Sequence, residues 1–330
     1  MTLSALKSQT KLTAFGVYVP DRILTNNDME KLVDTSDEWI VQRTGIRERR
    51  ISADDEYCSD LCYAAVANMQ ARYAVNLADV DYIIVATSTP DTFFPSMAAR
   101  VQAKFGIRSC GALDIQAACA GFVAALQLAN GLLLTGVHRK ILIIGADALS
   151  KATDYTDRST CILFGDGAGA ALLEWTEDGT LLGSYTATSG ASGHHLYRSS
   201  LSADIDGHPI QTTGKIVQDG REVYKWAVTQ VPKGITALLE NNGRTTEEID
   251  WFVPHSANMR IVESVCERTG IPLEKTLASM ELFGNTSAAS IPLALDLAIR
   301  DGRINKGDLC LLYGFGGGLT EAAVLLEWSL

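Results

Sequence analysis

Four short stretches hold the residues whose types could do chemistry. Cys119 ends one apolar run and opens a charge-free one, with Ala118, Ala120 and Gly121 around it. Small neighbours let a substrate reach the sulfur, and a helix N-terminus there favours thiolate over thiol. His255 follows the run Val253-Pro254 at a strand end, where side chains of open α/β sheets face ligand crevices. Asn285 lies in Gly284-Asn285-Thr286-Ser287-Ala288-Ala289-Ser290, just before a helical pattern. The glycines of Gly314-Phe315-Gly316-Gly317-Gly318 can turn backbone N–H groups toward an oxyanion. Each stretch also has a plainer explanation when taken alone. Cys119 fits a small buried hydrophobe, His255 a satisfied histidine, Asn285 a helix N-cap and the glycines a tight strand connection.

Positioning these residues falls to an alternating frame. Short apolar runs at 82–87, 112–116, 141–145, 168–173, 251–253 and 309–313 read as buried strands. Helical patterns occupy 60–73, 96–105, 120–134, 223–241, 260–268 and 287–300, which makes an α/β fold with helix-covered sheets. The order also repeats at an offset of roughly 165 residues, too long for a solenoid and suited to a duplicated domain. Tyr82 and Trp251 open matching strands, and the turn 118–121 matches 284–287. The halves are expected at 1–177 and 178–330, with the seam in the polar turn Thr176-Glu177-Asp178-Gly179. Equivalent turns from two halves can converge on one site between them.

Composition excludes several classes. The 330 residues hold 28 Lys+Arg against 39 Asp+Glu, a net charge of −11, and no basic tract supplies a nucleic-acid face. Seven cysteines, an odd number, several inside apolar runs, fit reduced intracellular thiols better than a disulfide framework. The segment 1–11 has no apolar core of an export signal, so a cytoplasmic protein is expected. The charge-free stretch 119–137 is long enough to question as a membrane span. Gln127, Asn130 and three glycines interrupt it, so it reads as a helix buried in a soluble core.

Taken together, six motifs in order resemble the β-ketoacyl-acyl-carrier-protein synthase III family, the initiating condensing enzymes of type II fatty acid synthesis. They are residues 35–49 (TSDEWIVQRTGIRER), 117–122 (AACAGF), 164–170 (FGDGAGA), 255–258 (HSAN), 284–290 (GNTSAAS) and 314–318 (GFGGG). The resemblance runs from Asn26 to the C-terminus. It implies a thiolase-like fold of two similar halves in five αβαβα layers, normally a homodimer.

It also implies a mechanism. Cys119 takes an acyl group from acyl-CoA as a thioester, which separates priming from condensation. His255 and Asn285 donate hydrogen bonds to the thioester carbonyl of malonyl-acyl carrier protein, stabilising the enolate left by loss of CO₂. The carbanion attacks acyl-Cys119, and the backbone N–H groups of Cys119 and Gly317 hold the tetrahedral oxyanion. No metal or redox cofactor is implied. By motif position Trp39 and Arg158 sandwich the CoA adenine and Arg43 meets a phosphate. Asn258 and Phe315 belong to the substrate site, and Phe94 shapes the acyl pocket of a dimer partner. Lys225, Arg260 and Arg268 form the carrier-protein docking surface, with Arg43, Arg47, Arg49 and Arg50 nearby. A local basic patch is needed there because two acidic proteins otherwise repel.

Three sites depart from the family pattern, Phe283, Glu321-Ala322 and Ser256, and each is a candidate for altering the acyl pocket or the donors, while Glu267 stands where relatives can carry lysine and weakens the basic patch. Other signals favour structure. His194-His195 lacks ligand-spaced companions and reads as a surface loop rather than a metal site, and Cys58 with Cys62 reads as core packing. Two rival functions stand beside the main one: a secondary-metabolic relative acting on another acyl donor or acceptor, and a non-catalytic binding module for acyl chains or carrier protein.

Overall fold

A computed structural model describes residues 8–330. Most of the segment expected to lack an export signal, Met1–Lys7, lies outside them. The first sheet contains β1 (Thr10–Tyr18), β2 (Tyr82–Ala86), β3 (Gly111–Ile115), β4 (Lys140–Ala148) and β5 (Asp166–Trp175). Its order is β1-β5-β4-β2-β3, with β2 parallel to β3 and β4, and β5 antiparallel to both β1 and β4. The second sheet contains β6 (Leu181–Thr188), β7 (Trp251–Pro254), β8 (Leu309–Gly316) and β9 (Thr320–Glu327) in the order β7-β8-β9-β6. The helices that matter here are α1 (Asp37–Thr44), α2 (Cys58–Tyr73), α3 (Met97–Lys104), α4 (Gly121–Leu134), α5 (Gly220–Asn241), α6 (Met259–Thr269) and α7 (Ser290–Arg300).

These elements stack in five layers. Helices α2 and α3 cover the outer face of the first sheet, α4 and α7 lie between the sheets, and α5 and α6 cover the outer face of the second. Strand alternation explains why the central runs are continuously apolar. Ile84 and Ala86 of β2 face the middle layer while Ile83 and Val85 face the outer one. In β8, Cys310 and Leu312 point inward while Leu311 and Tyr313 point outward. A strand buried on both faces has no place for polar alternation. The stretch questioned as a membrane span is α4, apolar because sheets cover it on two sides. No described helix is long and apolar enough to cross a membrane.

The registers show the duplication directly. Tyr82 pairs with Ile141 as Trp251 pairs with Cys310, and Leu12 pairs with Leu173 as Leu181 pairs with Leu326. The chain passes from one sheet to the other between Trp175 and Leu181. One detail of the expected repeat is corrected. The turn Ala118–Ala120 corresponds to Ser287–Ala289, three residues later than the matched 284–287. The marker is a left-handed residue at the same point of each turn, Ala118 at φ 43° and Ser287 at φ 50°. That break also shortens the expected helix 287–300, so α7 begins at Ser290. The second sheet has no full counterpart of β3, only a single parallel bridge between Phe252 and Thr276.

Each turn packs on the other half's sheet. The 118–120 turn lies on β8 and the 287–289 turn on β4, and the two turns touch each other. Glycine permits both approaches. A Cβ at Gly314 would lie 2.7 Å from Ala120 Cα, and one at Gly145 would lie 2.5 Å from the Ala288 carbonyl oxygen. Polar ties reinforce the joint. Gln127 of α4 donates to the carbonyls of Tyr185 and Ala323, at 3.0 and 2.8 Å, and Asp296 of α7 pairs with Arg72 of α2 and Arg300.

Candidate active site

The interlocked turns bring Cys119, His255 and Asn285 to the wall of one cavity of about 350 Å³. Cys119 is half-buried in the turn ahead of α4. Gly316 runs tight against it, since a Cβ there would sit 2.8 Å from Cys119 Cβ and 2.9 Å from Sγ. Burial pushes the thiol up to about 12, opposed by a hydrogen bond from the Ser287 side chain. Burial thus opposes the thiolate that the helix end is expected to favour.

His255 is 2 % exposed, just past the end of β7. Its backbone N–H donates to Tyr313 O at 2.8 Å, and its carbonyl accepts from Ala257 N–H at 2.9 Å. Nδ1 lies 2.7 Å from Ser290 Oγ, and Phe315 meets the ring edge-on with centroids 5.2 Å apart. Burial holds the imidazole down at about 3, so it is neutral at ordinary pH.

Asn285 is fixed at both ends. Its N–H donates to Leu163 O at 2.8 Å, and its carbonyl accepts from Gly165 N–H at 3.0 Å. Its side-chain Oδ1 accepts from Ser287 N–H at 2.9 Å. The amide oxygen is thus committed to the protein, and Nδ2 remains as the donor.

The other expected residues divide. Asn258, Phe315 and Gly317 line the same cavity, but Asn258 Oδ1 also caps α6 by accepting from Ile261 N–H at 3.1 Å. Arg158 stacks on Trp39 with its guanidinium carbon 5.1 Å from the ring, and also approaches Asp34 at 3.7 Å. A flat ring between the two needs roughly 7 Å, twice the van der Waals contact distance. Arg158 must therefore swing away before a base can enter. Arg43 is exposed at the end of α1, outside the cavity wall. Phe94 is 87 % exposed, beside Phe93 on the cavity rim.

Near the cavity residues Val223 and Ile261, Arg260 reaches over the Tyr224 ring at 6.0 Å, and the exposed Lys225 is next to Tyr224 in sequence. Arg268 is exposed two turns further along α6. Arg49 is removed from the basic surface. It is fully buried, donating to Asn26 Oδ1 at 2.8 Å and Ile162 O at 2.6 Å, and burial lowers it to about 10.

The three departures from the family pattern do not reach the cavity wall. Glu321 is buried and accepts from Tyr313 OH at 2.8 Å, and Ser256 Oγ accepts from Ser279 N–H at 3.0 Å. Phe283 packs its carbonyl against Gly165. His194 stacks on His208 at 3.8 Å, and among the described residues no three His, Cys, Asp or Glu groups are arranged to hold a metal ion. Sequence reasoning missed the cavity's outer wall, a ribbon pairing Leu196–Arg198 with Ile216–Gln218. It also gave no role to Ser287 and Ser290, which the motif 284–290 contained.

Comparison with known proteins supplies the family. Residues 113–190 match the family described as 3-oxoacyl-[acyl-carrier-protein] synthase III, and 239–328 match its C-terminal family. The chain is 56% identical to β-ketoacyl-[acyl-carrier-protein] synthase III 2 of Halalkalibacterium halodurans, over 98% of each chain. Identity to the protein of that name from Bacillus subtilis is 55%, over 98% of this chain and 100% of the other. The crystal structure of β-ketoacyl-[acyl-carrier-protein] synthase III from Thermus thermophilus superposes with a TM-score of 0.93 at 44% identity, covering 96% of this chain and 99% of that one. The fold is thiolase-like, and the chain belongs to the β-ketoacyl-[acyl-carrier-protein] synthase III family of condensing acyltransferases that initiate fatty acid synthesis.

Proposed function

We propose that this chain joins a short acyl-CoA primer to malonyl-acyl carrier protein, giving a 3-oxoacyl-acyl carrier protein. The convergence of Cys119, His255 and Asn285 on one cavity carries the reading. In the first step Cys119 Sγ attacks the acyl-CoA carbonyl, CoA leaves, and the thiol proton ends on the departing CoA sulfur. The acyl group stays as a thioester while the second substrate enters. In the second step the malonyl carboxylate leaves as CO₂, and the electron pair moves onto the thioester oxygen. Hydrogen bonds from His255 and Asn285 Nδ2 to that oxygen stabilise the enolate. Its carbon then attacks acyl-Cys119, with the N–H groups of Cys119 and Gly317 holding the oxyanion, and Cys119 leaves as the thiolate. Loss of CO₂ drives the sequence, so the proposal includes no metal or redox cofactor.

Trp39, Arg158 and Arg43 are the CoA contacts in this reading, and Lys225, Arg260 and Arg268 are the carrier-protein contacts. Phe93 and Phe94, at 74 % and 87 % exposed, are apolar rings that a second copy of the chain would cover, which supports a homodimer. The site of action is the cytoplasm. A binding module would need no such convergence of thiol, imidazole and carboxamide. The deciding experiment is incubation with acyl-CoA alone, followed by peptide mass analysis. An acyl mass on the Cys119 peptide is expected. Labelling of another cysteine, or of none across a panel of primers, overturns the mechanism.

A further inference from the structure

Ser290 has a hydroxyl with one place to go. It is fully buried at the first residue of α7, and its Oγ lies 2.7 Å from His255 Nδ1. Among the described residues neither atom has a second hydrogen-bond partner. Two arrangements satisfy the distance. If Nδ1 carries the ring proton, it donates to Oγ and the Ser290 hydrogen is left without a protein acceptor in a buried wall. If Nδ1 is bare, the Ser290 hydrogen fills it and both groups are satisfied. His255 is neutral, so one ring nitrogen carries the proton and the partner of the other decides which.

We propose that Ser290 is a positioning residue whose O–H donates to Nδ1 and locks His255 as the Nε2–H tautomer. The cavity then receives a donor. With the opposite tautomer Nε2 would present a lone pair, which repels a developing enolate oxygen. The ring cannot turn over without breaking the Ser290 bond, and Phe315 holds it edge-on from another side. The catalytic consequence rests on the reading of His255 as an oxyanion donor; the tautomer does not.

The test uses full-length protein with ¹⁵N-labelled imidazoles. His255 is picked out from the five histidines by its loss in His255→Gln. A pyridine-type shift on Nδ1 and a pyrrole-type shift on Nε2 are expected. Ser290→Ala should give a mixture of tautomers and slow malonyl decarboxylation roughly tenfold, the scale of one neutral hydrogen bond. The loss should fall on decarboxylation far more than on acylation of Cys119, and Ser290→Thr, which keeps the hydroxyl, should restore the single tautomer. A protonated Nδ1 in the unaltered protein overturns the proposal. So does a Ser290→Ala enzyme that keeps pure Nε2–H and full decarboxylation. If His255→Ala decarboxylates normally, the reading of His255 falls while the tautomer result stands by itself.

Discussion

The two halves build the same turn and put different side chains on it. By strand register, Ala86, Gln116, Cys119 and Gly121 of the front half occupy the positions of His255, Asn285, Ala288 and Ser290 in the back half. Both turns carry a left-handed residue, and both rest on a glycine of the opposite sheet. Where the front packs Gly121 against Ala86, the back sets the Ser290 hydroxyl against His255. Backbone geometry is therefore common property, and the division of labour lies in side chains. In the proposed reaction the front turn supplies the attacking atom, while the end of β7 and the approach to the back turn supply the hydrogen-bond donors.

Erasing that division at the front has the largest effect. Cys119→Ala gives the front turn the residue already found at Ala288. Acyl-enzyme formation should drop by at least roughly a thousandfold. Mass analysis that still finds an acyl group on the protein would show that the two turns are not divided in this way. Erasing it at the back should separate the steps. His255→Ala and Asn285→Ala should still acylate Cys119 while losing roughly a hundredfold or more in decarboxylation, measured as CO₂ release. Equal loss in both steps would merge the roles.

The Cys119 thiol sharpens the contrast on a smaller scale. With Cys119 pushed up to about 12, its thiolate fraction rises with pH. Alkylation of Cys119 in the empty enzyme should therefore accelerate about tenfold per pH unit through the neutral and mildly alkaline range. A plateau near neutrality would mean that the helix end outweighs burial after all. The smallest effect is expected from Gly316→Ala, whose methyl group presses on the Cys119 side chain. A drop of roughly tenfold in acylation is the scale of an overpacked contact, and unchanged acylation would show that the strand can yield at no cost.

The central frame and its repeat were legible because buried strands such as β2 and β8 read as unbroken apolar runs. The edge strands β1 and β6 were not, since Thr13 of one and Ser184, Thr186 and Thr188 of the other interrupt the apolar pattern. Cys119, His255 and Asn285 were visible by residue type and motif, and their meeting point followed from duplication. The register of the repeat was three residues off because Gly284-Asn285 resembles a turn as strongly as Ser287-Ala288 does. The strand registers and the matching left-handed Ala118 and Ser287 distinguish them. Arg49 misled because a charged residue in a basic stretch reads as surface. Its hydrogen bonds to backbone carbonyls at distant positions leave no local pattern. Ser290 was invisible as a partner for the same reason, since its proximity to His255 is created by the turn.

The two turns meet, and the front one alone of the pair carries a thiol. A Cβ at Gly121 would stand 2.8 Å from Ala86 Cβ and touch Ala288 Cβ at 3.4 Å, so the start of α4 takes no side chain at that point. A repeated backbone with one sulfur at its tips means that, in the proposed reaction, each chain loads a single primer at a time.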